Sequence, residues 1–329
     1  KFETGLRKYL KVQNINVVSS AAASLEIIAL LLKLKKGDEV IIPAHTYCAT
    51  ALPFLRNGAK IVWADIDTDT RVVSARTIEK CITDKTKVIV VVHLYGYGVD
   101  MLSIMELAQE RGIMFVEDAA QAFGSIRDSK KIGIDGDIIC FSFDGIKNIT
   151  SGEGGAILTN SKKIKIQLHK LRDLGLQQQN REISDFFELN YKFDELQAIL
   201  LINQLKHYKR DMKIRKQIIK FYQNKLKKYV LNSEYDLENS SGYDYQILVK
   251  NRDKLKRYLE SKNIETRIKH PLIIPNQTIY KKLQKNNFPV ARLIQTQSLS
   301  LPLHIYLNKQ SLNYIVNCIK NFSLNYELK

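Results

Sequence analysis

The sequence predicts an α/β fold, with a large domain built on a mainly parallel central sheet flanked by helices and a small α+β C-terminal domain. Three observations carry this expectation. Strand-like and helix-like segments alternate with short connections between residues 15 and 160. One of those segments, KVIVVVHLYG (87–96), is apolar throughout and rich in β-branched residues, as a strand covered on both faces must be. After residue 160 the texture changes to long amphipathic stretches, so the regular alternation belongs to the first part of the chain alone.

The elements follow in order. SLEIIALLLKLKKGD places Leu25, Ile28, Ala29 and Leu32 on one helical face and stops at Gly37. EVIIPA (39–44) and KIVWADI (60–66) are short strands, followed by the strand over 87–96. DMLSIMELAQERG (100–112) is an amphipathic helix closed by glycine. GIMFVEDAA (112–120) and DIICFSF (137–143) are strands, and right-handed crossovers would make the set mainly parallel. SKKIKIQLHKLRDLG (161–175) is a helix, and FDELQ to NKL (193–226) is a long one that leads out of the large domain. GYDYQILVK, RDKLKRYLESKN, IETRI and a helix over 308–322 compose the tail. The expected division is 1–225 and 226–329.

Bulk properties narrow the classes. A chain of 329 residues with 45% apolar and 26% charged residues suits a folded protein with a large core. The longest apolar runs are strand-length, too short for a membrane span. The chain begins at Lys1, and no signal-peptide pattern stands in it. Four cysteines (Cys48, Cys81, Cys140, Cys318) without a CxxC pair argue against a disulfide framework or a zinc cage. Cys48 and Cys140 read as core fillers, and a cytoplasmic location is expected. The net charge of +17 could mark a nucleic-acid binder. However, the local cluster KHYKRDMKIRKQ (206–217) alternates with Met212, Ile214 and Ile218 at helical spacing. It therefore reads as the wet side of a helix, and no nucleic-acid motif accompanies it.

In an open parallel sheet, ligands bind beyond the carboxyl ends of the strands. Asp118, Ser142 and Lys147 occupy such positions, as do His45 and Tyr47. Taken singly, Asp118 reads as a helix cap, Lys147 as a turn lysine and SGEGG as a tight turn. Taken together they suit pyridoxal phosphate. A lysine amine can bind an aldehyde covalently, and a carboxylate can keep a pyridine nitrogen protonated. SSAAAS (19–24) precedes a helix and can offer backbone N–H groups to a phosphate.

VEDAAQAFGS (116–125), FSFDGIKNITSGEGGAILTN (141–160), GDEVIIPAHTYCATA (37–51), VHLYGYGVDM (92–101) and NYKFDELQA (190–198) carry a likeness over essentially the whole chain. On these segments the chain resembles the DegT/DnrJ/StrS-type nucleotide-sugar aminotransferases, which have the aspartate-aminotransferase-like fold, PLP fold type I. The resemblance implies that Lys147 carries the cofactor and moves protons, with Asp118 on the ring nitrogen and Gln121 near the ring hydroxyl. It implies Tyr47 stacked on the ring and Ser142 at the phosphate, beside Ala21 and Ala22. Asn190 would reach the phosphate from a partner subunit, so a homodimer with a shared active site is implied. Lys192 and His270 would lie near the substrate.

Four departures stand out. Ala21-Ala22 replaces a usual Gly-Thr, which removes a phosphate hydroxyl donor. Lys192 stands for an arginine and loses its bidentate fork. Phe123 stands for a histidine, and the family's segment ahead of FETGLRKYL is expected to be short or absent. The implied activity transfers an amino group from glutamate to a keto-sugar linked to a nucleoside diphosphate. It would serve surface-polysaccharide or glycoconjugate synthesis, with neither metal nor nucleic acid. Lys147 speaks against the family's dehydratases, which carry histidine there; the alanine pair gives a cofactor-free regulatory relative some purchase, yet the retained Lys147, Asp118 and Gln121 argue the other way. FDGIKNITSGEGG looks like members acting at a 4-keto position, so a 4-keto-6-deoxy sugar is expected, with a 3-keto sugar as the alternative. His93 reads as a satisfied residue at its strand end.

Overall fold

A computed structural model describes all residues except 128, 178, 186–187, 232–235 and 281–286. Seven strands form the central sheet: β1 (Asn14–Val18), β2 (Glu39–Pro43), β3 (Lys60–Ala64), β4 (Thr86–Val92), β5 (Met114–Asp118), β8 (Ile138–Ser142) and β9 (Gly155–Thr159). A small hairpin, β6 (Ile126–Arg127) with β7 (Lys130–Lys131), lies between β5 and β8 in the chain. The sheet order is β1-β9-β8-β5-β4-β2-β3. The five strands from β3 to β8 pair in parallel, whereas β9 is antiparallel to both β8 and β1. The expected α/β class with a mainly parallel sheet is the observed one.

The sheet is burial-driven. Val88, Ile89, Val90, Val91 and Val92 of β4 are all buried, which requires cover on both faces. Helices α2 (Ala21–Leu32), α3 (Leu52–Arg56), α4 (Ala75–Glu79), α5 (Met101–Glu110) and α6 (Lys162–Arg172) supply part of that cover. Leu25, Ile28 and Ala29 of α2 join the core formed by β2, β3 and β4. The other main cluster of this part is aromatic. Phe2, Leu6 and Leu10 of α1 (Phe2–Leu10) pack there with Phe123, Phe141, Phe143 and Tyr208.

Helix α7 (Glu195–Leu226) runs 32 residues, about 48 Å at 1.5 Å per residue. Its N-terminal part, as far as Met212, gives Leu201, Tyr208 and Met212 to the aromatic cluster. Its second half gives Ile218, Ile219, Tyr222 and Leu226 to a third cluster. That third cluster holds β10 (Gln246–Leu248), α8 (Arg252–Ser261), β11 (Ser298–Ser300) and α10 (Lys309–Ser323), while α9 (Pro289–Gln297) packs against the main core. Strands β10 and β11 pair antiparallel, and Arg267 of the expected IETRI strand adds one bridge to Ser300.

Some sequence readings shift. Cys140 is buried, whereas Cys48 is only partly covered at the core's margin. Within 206–217, Lys206, Lys209 and Lys213 are exposed as expected, but Arg215 turns inward and donates to the carbonyls of Gly242 and Tyr243, both at 2.8 Å. No helix among the described residues is long and apolar enough to cross a membrane.

Candidate active site

The parallel strands bring their carboxyl ends to one edge. Val92 pairs with Asp118, and Asp118 pairs with Cys140, so β4 and β5 end in step and β8 runs two residues further. Two residues beyond Cys140, Ser142 pairs with Gly155, and Gly155 pairs with Val18 of β1. Helix α2 starts three residues after Val18. This register sets Ser142 beside the N-terminus of α2. Gly155 permits the approach: a Cβ there would lie 2.4 Å from the Ser20 carbonyl oxygen and 2.7 Å from the Ala21 nitrogen. Ser20 caps the helix, its Oγ accepting from Ala23 N at 3.0 Å. The N–H groups of Ala21 and Ala22, in the first turn, have no partner within the helix.

Asp118 is buried and oriented by three donors. Thr50 Oγ1 donates to Oδ2 at 3.0 Å, and Ala120 N donates to Oδ1 at 3.1 Å. Cys140 Sγ lies 3.6 Å from Oδ1, and burial beside this carboxylate pushes the Cys140 thiol well up. Gln121 is fixed at both ends: its Oε1 accepts from Tyr95 N at 2.8 Å, and its carbonyl accepts from Ser241 Oγ at 3.1 Å. Neighbouring Glu117 is not part of this cluster. It accepts from His93 Nε2 at 2.9 Å and from the N–H groups of Gly133 and Gly136. His93 Nδ1 accepts from Val99 N at 3.0 Å, so both nitrogens of His93 are satisfied at its strand end.

Lys147 sits on a pinned loop. Phe143 N donates to the Gly154 carbonyl at 2.8 Å, and Ser151 N donates to the Phe143 carbonyl at 3.0 Å, which closes the loop at its base. Within it, Lys147 N donates to the Asp144 carbonyl at 2.9 Å, and Asp144 Oδ1 accepts from Ile146 N. The Lys147 amine lies 5.2 Å from the centroid of Tyr243, and Lys269 lies 4.1 Å from the same ring. Burial lowers the Lys147 pKa from its ordinary 10.5, opposed by the charges of Asp118 and Asp144 and assisted by Lys269. A lysine so placed has a larger share of free, nucleophilic amine near neutral pH. Lys269 is in turn held 3.4 Å from Asp244, which accepts from Ser300 Oγ at 2.7 Å.

Tyr47 is 60% exposed and stands 6.2 Å from the His270 ring. His270 takes φ 51°, a left-handed backbone that costs a histidine on the order of 1 kcal/mol. The remaining two expected residues lie on the exposed segment that runs alongside β1. Ser19 N donates to the Tyr191 carbonyl, Asn190 Oδ1 accepts from Lys192 N, and Lys192 Nζ pairs with Asp173. Thr50, Tyr95, Tyr243 and Lys269 join the site without having been singled out by the sequence. Thr50 and Tyr95 lie inside the quoted segments around residues 37–51 and 92–101. Tyr243 and Lys269 carry no sequence signal, because the tail folds back over the sheet edge only through long-range contacts.

The model of the DegT/DnrJ/EryC1/StrS aminotransferase family matches residues 1–320. The chain is 32% identical to the GDP-perosamine synthase of Vibrio cholerae, over 98% of this chain and 90% of that protein. It is 31% identical to the dTDP-3-amino-3,6-dideoxy-alpha-D-galactopyranose transaminase of Aneurinibacillus thermoaerophilus, over 98% and 89%. Among solved structures, Spr1654 of Streptococcus pneumoniae in its PMP form superposes with a TM-score of 0.91 at 27% identity, covering 98% of this chain and 89% of that one; a PLP form is also solved.

Proposed function

Because the chain belongs to the DegT/DnrJ/EryC1/StrS aminotransferase family and is a transaminase, we propose that it transfers an amino group from glutamate to a keto-sugar carried on a nucleoside diphosphate, with pyridoxal phosphate as its cofactor. The observation that carries this reading is the convergence of Lys147, the triply held Asp118 carboxylate and the N-terminus of α2 at one sheet edge.

The donor set fits the cofactor. Lys147 would hold its aldehyde carbon, Asp118 its ring nitrogen and Gln121 the region of its ring hydroxyl. Ser142 Oγ and the N–H groups of Ala21 and Ala22 would hold its phosphate, with Asn190 contributed by the partner subunit, and exposed Tyr47 would cover the ring. Bound there, the cofactor supplies an electron sink for the carbon next to the transferred nitrogen. Lys147 then serves as the base and acid that moves a proton at that carbon, which its lowered pKa favours. Lys192 and His270 would contact the sugar nucleotide.

The homodimer is part of the proposal. Leu196, Ile199 and Leu200 stand at i, i+3 and i+4 on α7 and are 73%, 62% and 53% exposed, next to Leu189 at 65%. Such a patch is what a second copy would cover. The 4-keto-6-deoxy sugar is the first reading of the substrate. A 3-keto sugar is the second, favoured by the relative whose name places its amino group on carbon 3. The product would supply glycoconjugate synthesis.

An absorption spectrum with added pyridoxal phosphate, before and after glutamate, tests the proposal. The expected result is a bound-cofactor band that glutamate shifts, and borohydride-trapped cofactor on the Lys147 peptide. Lys147→Ala should lose the trapped adduct. A trapped adduct on another lysine, or none, would refute the assignment and bring the regulatory reading forward.

A further inference from the structure

Two histidines and a tyrosine form a cluster beside Lys147 whose polar atoms are not all used. Tyr95 is buried at φ 59°, and its hydroxyl oxygen lies 3.0 Å from His45 Nε2. Gln246 hydrogen-bonds the same oxygen. Whichever tautomer His45 takes, its Nδ1 is buried and has no hydrogen-bond partner.

The His270 ring packs edge-on against His45 at 5.7 Å and against Tyr95 at 5.6 Å, with Tyr47 on its outer side. His270 as a whole is only partly covered, yet its Nε2 is shut off from solvent and has no partner either. Two orphaned ring nitrogens on neighbouring, packed rings are costly to keep unless something fills them. Both rings are neutral. Burial and the Arg71 charge bring His45 to about 4, and burial with the His45, Lys269 and Lys147 charges brings His270 to about 3. Neutral imidazoles suit an uncharged oxygen, whereas the cations nearby suit the anionic parts of a ligand.

We infer that His270 Nε2 and His45 Nδ1, the latter oriented by Tyr95, form the subsite that reads a hydroxyl or carbonyl oxygen of the sugar ring, separately from the contacts that hold the nucleoside diphosphate. This rests on the nucleotide-sugar reading above and deepens it: these residues set which sugar is accepted. A site built to hydrogen-bond a substrate oxygen discriminates strongly against a ligand that lacks it, because its own polar atoms are then left unpaired.

The test is calorimetric titration of UDP, GDP and dTDP against UDP-N-acetylglucosamine, GDP-mannose and dTDP-glucose. For the nucleotide that binds, the hexose conjugate should bind more tightly than the free diphosphate. His270→Phe should remove about 5- to 10-fold of that advantage and leave the free diphosphate unchanged, while His270→Gln, which restores a polar nitrogen near Nε2, should recover part of it. The Tm of ligand-free His270→Phe should be no lower than that of the parent, since an orphaned polar atom has been removed; a structural role would lower it. An unchanged hexose advantage in His270→Phe, no such advantage in the parent, or equal weakening of the free diphosphate each overturns the assignment. Borohydride trapping at Lys147 reads the transaminase proposal independently, so a failed trap with a lost hexose advantage would discard that proposal and keep this one.

Discussion

Single residues at this site trade stability for readiness. Lys147, His45 and His270 are all ionisable groups whose charged forms burial disfavours. For the histidines the consequence for stability can be worked out. Their folded values, about 4 and about 3, lie below the ordinary 6.5, so the unfolded chain takes up protons that the folded chain refuses. Their contribution is complete above pH 6.5 and falls as the pH drops toward 4, by about 1.4 kcal/mol per pH unit for each group. Urea denaturation at pH 7 and pH 5 should therefore show a loss to which each histidine adds on the order of 2 kcal/mol. His270→Phe should lose less than the parent by about that amount; an equal loss would show that His270 takes up its proton in the folded state.

At the scale of elements, the N-terminus of α2 would decide phosphate affinity in the proposed site. Its donors are backbone groups presented by Ser20, Ala21 and Ala22, and the cap is the Ser20 Oγ to Ala23 N bond at 3.0 Å. Ser20→Ala should destabilise the chain by about 1 kcal/mol. Ala22→Thr should place a hydroxyl where the backbone already points and tighten cofactor binding by roughly 3- to 10-fold, the effect of one added hydrogen bond. Urea denaturation checks the first, and equilibrium titration of the cofactor band checks the second. No gain from Ala22→Thr would mean that the phosphate does not sit on this helix. The same register gives β9 a part in the site although it runs against its parallel neighbours: Gly155 is the contact that lets strand and helix meet.

For the whole molecule, the exposed α7 patch makes an association prediction. Ile199→Glu with Leu196→Glu should convert a dimer into a monomer by light scattering at micromolar concentration, and should weaken the cofactor band if Asn190 is supplied in trans. A parent protein that is monomeric at tens of micromolar would remove the shared-site part of the proposal.

How much was legible follows from range. The alternating strands, the lysine after DIICFSF and the aspartate closing GIMFVED were readable because local pattern and chain order deliver them, and a burial pattern such as that of β4 leaves one solution. Strands β1 and β9 were not, since five residues joined to antiparallel neighbours leave no periodic mark that separates them from loop. Arg215 was read as solvated because helical periodicity ranks polarity and cannot see a carbonyl returning from 27 residues later in the chain. Tyr243, Lys269 and the His45–Tyr95–His270 cluster depend on the tail folding over the sheet edge. The sequence by itself determined the fold class and the family, and it singled out Lys147 and Asp118 as the candidate site. The tertiary structure alone decided which groups surround them and which ring nitrogens remain unpaired, because those are outcomes of contacts between residues far apart in the chain, such as His45 with Tyr95 and with His270, which no local pattern encodes.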